Sequence, residues 1–244
     1  MADVSKMRSF FLVAPREEAF AAALASGADA IVLDLCDSRE ASRSGAAALI
    51  RRPRPPGLRL YARIAALDSA AIDADLASVV GAGADGIFLP QACGGASVQH
   101  VSAKLAVQEA ECGRADGATR IVALATQTPA AIFALSSYAG ASARLEALAF
   151  DVEPLRRALG VEPHSVAAND PASPVSVARA LLLLGAAAAG VAAIDAPFAA
   201  IGDAEGLVAQ CRAARRDGFG AKLALDAAQI PVINQTFGET PPAL

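Results

Sequence analysis

Ile121-Val122-Ala123-Leu124-Ala125-Thr126-Gln127-Thr128-Pro129 runs apolar for five residues, turns polar for three and then meets a proline. An unbroken apolar run of that length, closed by turn-forming residues, predicts a strand buried on both faces, as in a parallel sheet covered by helices. Thr128 followed by Pro129 places an N-cap hydroxyl before proline at the first helical position, so a helix should start there. A second stretch of the same kind, Leu145-Glu146-Ala147-Leu148-Ala149-Phe150-Asp151-Val152-Glu153-Pro154, follows one helix later. In proteins built from such units the chemistry gathers at the carboxyl ends of the strands.

The same alternation extends in both directions. Apolar runs at 9–13, 30–35, 60–64, 85–90, 191–195 and 222–225 complete a set of eight, each followed by a helical segment or turn. Parallel strands follow, because each crossover helix returns the chain to the same edge of the sheet. Eight units in 244 residues predict a closed (β/α)8 TIM barrel, α/β in class and one domain over residues 1–244, close to the usual length of about 250. A doubly wound open sheet would carry a Gly-rich phosphate loop after its first strand, and Val13-Ala14-Pro15-Arg16-Glu17 has no glycine. Ala25-Ser26-Gly27-Ala28-Asp29 and Gly81-Ala82-Gly83-Ala84-Asp85 predict one helix-to-strand turn used twice.

Composition narrows the function classes. The net charge is −4 with Lys and Arg scattered, which lacks the basic stripe of a nucleic-acid binder. The apolar run at 180–194 is shorter than the roughly 20 residues of a membrane span and holds Gly185 and Gly190, so no membrane partner is expected. Cys36, Cys93, Cys112 and Cys211 form no Cys-x-x-Cys pair, the pattern of a reduced cytoplasmic protein without a zinc site. Met1–Arg8 has no signal-peptide character. Homo-oligomerisation is expected from the 55% hydrophobic content.

In a barrel, the polar residues at the strand tips face one cavity. These are Asp34, Asp37, Arg63, Gln91, Thr126, Gln127, Asp151, Glu153, Asp195 and Asp226. A guanidinium in the apolar strand at 60–64 must be paired when buried, and its fork suits a carboxylate. Arg63 therefore binds either a ligand carboxylate or a neighbouring Asp34 or Asp37. The aspartates also divide two ways, between helix N-caps and oxygen ligands for a hard divalent cation. Cys36 lies between two acids, which disfavours a thiolate. His100, in a helix, and His164, in a loop, lack the placement of a general base.

Several segments together resemble one family, the HpcH/HpaI aldolases and citrate lyase β-subunits. Arg8–Val13 resembles its opening "RSLLFVPG", and Ala25–Asp37 its "ASGADAVILDLEDAV". Ala84–Pro90 is similar to "ADGIVLPK", Ala193–Asp195 to "AID", and Gly218–Asn234 to "GFDGKLAIHPAQIPVIN". The resemblance implies the barrel fold and a lyase that makes or breaks carbon–carbon bonds in small hydroxy or keto acids or their thioesters, with Mg²⁺ as cofactor. It implies Arg63 as a substrate-binding residue at a small carboxylate and Asp37 as a catalytic residue. The family's two metal ligands, a Glu after the fifth strand and an Asp after the sixth, align with Gln127 and Pro154, so no metal ligand carries over. Cys36, Gln91 and Asp226 also depart from the family's Glu, Lys and His. The implied function is a carbon–carbon lyase with weakened metal dependence, or a non-catalytic relative serving as a ligand-binding or subunit-interaction scaffold.

Overall fold

The computed structural model describes residues 7–36, 39–161 and 173–238. Eight parallel strands close into a barrel in sequence order. They are β1 (Ser9–Val13), β2 (Ala30–Asp34), β3 (Arg59–Arg63), β4 (Gly86–Leu89), β5 (Arg120–Leu124), β6 (Leu145–Ala149), β7 (Ala192–Asp195) and β8 (Ala221–Ala224). Helices α1 (Glu17–Ala25), α2 (Glu40–Ile50), α3 (Ile72–Ala82), α4 (Gly95–Glu111), α5 (Pro129–Phe133), α6 (Val152–Leu159), α7 (Pro174–Ala189), α8 (Ala204–Asp217) and α9 (Gln229–Gly238) complete the described elements, with a 3-10 turn at Leu135–Tyr138. No described helix is long and apolar enough to cross a membrane.

Because side chains alternate along a strand, each strand serves two cores. On β2, Ala30 and Val32 face the barrel interior while Ile31 and Leu33 face the helices. Phe10, Tyr61 and Phe88 fill the interior edge to face, with ring centroids 5.7–5.8 Å apart, a favoured arrangement for aromatic pairs. Gly86 makes room for them, since a Cβ there would lie 2.6 Å from the Tyr61 ring. The strand ends left over by this filling form the carboxyl-end mouth.

The repeated turn is present twice. Gly27 and Gly83 take φ of +75° and +95°, a region glycine enters without steric cost. Each following aspartate then accepts a backbone N–H at or just before a strand, Arg8 N to Asp29 Oδ2 at 2.7 Å and Leu60 N to Asp85 Oδ2 at 2.7 Å.

The helix that starts at Pro129 runs only to Phe133. Thr128 Oγ1 caps it as expected, accepting from Ala131 N at 3.2 Å. Beyond it the chain tightens so that Tyr138 Oη donates to Ala92 O at 2.9 Å and accepts from Gly94 N at 3.2 Å. Ser137 Oγ accepts from Gly95 N at 2.9 Å. These bonds to the β4–α4 turn outweigh continued helical pairing. They also fix the loop that carries Gln91 at the mouth.

Candidate active site

Asp34 and Arg63 end neighbouring strands and are direct register partners, so both side chains enter the mouth at one level. Arg63 Nε donates to Asp34 Oδ1 at 2.9 Å and Nη2 to Oδ2 at 2.5 Å, a two-point fork. Asp34 Oδ1 also accepts from Cys36 N at 3.1 Å. Both side chains keep some solvent access, 22% for Arg63 and 26% for Asp34. Among the described residues nothing accepts from Arg63 Nη1, which leaves that nitrogen for a ligand.

The loop after Arg63 is held in place by Asp75, which is fully buried and accepts from Ala65 N at 2.9 Å. Burial alone would raise the Asp34 pKa, but the Arg63 hydrogen bonds and charge outweigh it and hold it below its ordinary value. Burial would likewise lower Arg63, and Asp34 with a smaller contribution from Asp151 raises it instead. Partial desolvation of the Cys36 thiol, with Asp34 and Asp151 nearby, pushes its pKa up to about 12, so it is no thiolate nucleophile.

Across the mouth, Gln127 bridges two strands. Its Oε1 accepts from Gln91 N at 2.6 Å and its Nε2 donates to Asp151 Oδ2 at 2.6 Å. Gln91 has φ of +51°, an uncommon conformation outside glycine, and it aims that N–H at Gln127. Asp151 is extended, φ −130° and ψ 110°, which continues the alternation of the inward Ala147 and Ala149 on β6. Its backbone is tied to Thr126, with Asp151 N to Thr126 Oγ1 at 2.9 Å and Thr126 Oγ1 to Asp151 O at 3.2 Å. No signal in the residues themselves pointed to the Gln127–Asp151 pair beyond their place on adjacent strand tips.

Other expected mouth residues lie elsewhere. Asp195 is a correction: Ala192 and Ile194 face the interior, so Asp195 faces the helices. There it accepts from the fully buried Lys222 Nζ at 2.7 Å. Asp226 is half-buried and turns Oδ1 to its own turn, accepting from Ala228 N at 2.8 Å. Glu153 points out from the first turn of α6 to Arg156 at 3.3 Å. His100 is exposed on α4. Asp37 and His164 lie outside the described residues.

Mg²⁺ asks for near-octahedral oxygen ligation, usually with a carboxylate or two. Here both Asp34 oxygens serve Arg63, the Gln127 oxygen serves Gln91 N–H, and the Gln127 amide presents a donor to Asp151. Pro154, within α6, has no side-chain oxygen to offer. Among the described residues no three His, Cys, Asp or Glu side chains gather in a metal-holding group. The described donor set does not fit the magnesium site that the resemblance implies.

The model of the HpcH/HpaI aldolase/citrate lyase family matches residues 8–227. The citrate lyase subunit beta of Haemophilus influenzae is 28% identical over 219 residues, 87% of this chain and 72% of that protein. The structure of CitE from Mycobacterium tuberculosis with magnesium and acetoacetate superposes with a TM-score of 0.78 at 27% identity, covering 97% of this chain and 92% of that one. Citrate lyase beta subunit from the same organism, complexed with oxaloacetate and magnesium, gives a TM-score of 0.76 at 26% identity, covering 97% and 99%.

Proposed function

The chain belongs to the HpcH/HpaI aldolase/citrate lyase family, a family of carbon–carbon lyases, and from that premise we propose that it acts on a small hydroxy or keto acid, or its thioester, with weaker metal dependence than its relatives. The observation that carries this reading is the Arg63–Asp34 fork at the mouth. Asp34 fixes the guanidinium plane, and Nη1 remains to hold a substrate carboxylate. Asp37, outside the described residues, is assigned to positioning or polarising the substrate. Acetoacetate and oxaloacetate in the M. tuberculosis structures support a small carboxylate as the ligand class.

Cleavage of this kind leaves negative charge on the carbonyl fragment. A fixed cation in a partly water-excluded mouth stabilises developing charge without reorganising, which is where most catalytic benefit arises. Arg63 supplies that cation permanently, since a guanidinium stays protonated. The neutral Gln127 and Pro154 favour a second reading, a ligand-binding scaffold without turnover.

Calorimetry with Mg²⁺ or Mn²⁺, with and without oxaloacetate or pyruvate, alongside a cleavage assay in EDTA, tests the proposal. Keto-acid binding and cleavage that survive chelation are expected. Binding without cleavage across hydroxy-acid adducts would establish the scaffold instead. A Gln127→Glu, Pro154→Asp double variant should gain saturable Mn²⁺ binding, because the first change sets a carboxylate against Asp151. No gain in a folded variant would overturn the assignment of these positions.

Self-association forms part of the same proposal. Val177, Leu181 and Leu184 expose 47%, 37% and 66% of their surfaces along one face of α7, an uncharged stripe suited to a second copy of itself. Light scattering should report an oligomer that Leu184→Glu weakens; a wild-type monomer at tens of micromolar would refute it.

A further inference from the structure

Among the described residues the mouth holds two carboxylates, Asp34 and Asp151, against the Arg63 guanidinium. Asp34 spends both oxygens on Arg63. Asp151 spends only Oδ2, on the Gln127 amide. Among the described residues nothing donates to Asp151 Oδ1, although the backbone bonds to Thr126 and the Gln127 contact fix where that oxygen stands. Asp151 is also near enough to Arg63 and Cys36 to bear on the charge of both. Among the described residues Arg63 Nη1 thus stands open as a donor at the mouth and Asp151 Oδ1 as an acceptor.

That pair of valences complements a molecule with a carboxylate at one end and a hydroxyl donor at the other. We propose that Asp151 is the catalytic base of this site, taking the hydroxyl proton of a β-hydroxy carbonyl acid whose carboxylate is held by Arg63. The inference rests on the lyase reading above. As Asp151 takes the proton, the O–H electron pair becomes the new C=O bond and the adjacent C–C bond breaks. The pair from that bond becomes the enolate of the second fragment. The proton on Asp151 then passes to the enolate carbon, so the carboxylate is restored and no co-reactant is consumed. The Gln127 amide holds Oδ2 and keeps Oδ1 turned to the substrate. Gln127 therefore acts as a positioning residue.

The probe is the aldol adduct of pyruvate and acetaldehyde, with released pyruvate measured in the full-length protein. Asp151→Asn keeps an oxygen for the Gln127 amide and removes the proton acceptor. Its kcat should fall by about 10²–10⁴-fold, the range of general-base catalysis, while KM holds because Arg63 still binds the carboxylate. Asp151→Gly is the second variant, since glycine is accepted before a helix. Added formate should restore part of its lost kcat, an effect that a purely structural role would not produce.

Wild-type turnover with an equally fast Asp151→Asn enzyme would overturn the role of Asp151 and leave the lyase reading intact. Folded but inactive variants that formate does not rescue would also overturn it. No cleavage by the wild type, together with intact keto-acid binding, would remove the lyase reading and this inference with it.

Discussion

Arg63→Ala should cut turnover sharply, lowering kcat/KM by roughly 30- to 4,000-fold. Truncating one partner of a hydrogen-bonded charge pair costs about 2–5 kcal/mol, and each 1.4 kcal/mol is a tenfold change. Two losses coincide at this residue. The substrate carboxylate loses its donor, and Asp34 loses the fork that neutralises it. Arg63→Lys should recover little, because an ammonium cannot hold Asp34 at two points and still reach a ligand. The change also has a pH signature in stability. Asp34 is held below its ordinary pKa in the fold, so it stabilises the protein above its unfolded value near 3.9. That contribution disappears as pH falls through the lower folded value. The melting temperatures of wild type and Arg63→Ala should therefore differ at pH 7, by about 2 kcal/mol in stability given the solvent access of the pair, and converge once pH falls below the lowered folded value of Asp34. Unchanged turnover would dismiss Arg63 from the site, and parallel melting curves at all pH values would dismiss the pairing with Asp34.

How far the residues announce this arrangement varies with the range of the interaction. The barrel was legible because every strand is a short apolar run and nearly every helix is closed by glycine, signals that act within a few residues. The strand limits differ from expectation by one or two positions. The early end of α5 was not legible, because Tyr138 and Ser137 are drawn to a turn more than forty residues away. Arg63 was recognisable as a charge that needs a partner, yet choosing Asp34 required the register of β2 on β3, and only strand pairing sets that. Asp195 shows the opposite case. Counting alternation back from the strand end would have turned it to the helices, and reading the strand tip alone pointed it at the mouth. The bond from Gln127 to Asp151 joins two tips through side-chain reach, which no local pattern encodes.

Lys222→Met should be the most destabilising single change outside the aromatic interior. Lys222 is fully buried in β8 between barrel and helices, with Nζ donating to Asp195 Oδ2 at 2.7 Å and to Ala196 O at 2.5 Å. Methionine fills similar space but, among the described residues, leaves Asp195, 3% exposed, with only the longer Arg179 contact at 3.4 Å. Arg179 cannot move closer freely, because it is shared with Asp217 at 2.5 Å and stacked 4.4 Å from the Phe219 ring centroid. An uncompensated buried charge costs about 3–5 kcal/mol, which in a chain of this size lowers the melting temperature by roughly 10 °C. Replacing both members with apolar residues of similar volume, Lys222→Met with Asp195→Leu, should recover most of the loss, because the doubly substituted site has no charge left to desolvate. Urea unfolding of the two single variants and the double variant checks this. A Lys222→Met cost below 1 kcal/mol would mean that Asp195 finds water or a new partner when Lys222 is gone. Because the pair faces the helices, any folded Lys222 variant should keep the mouth and its ligand affinity, which separates what this aspartate does for the fold from what Asp34 and Asp151 do at the mouth.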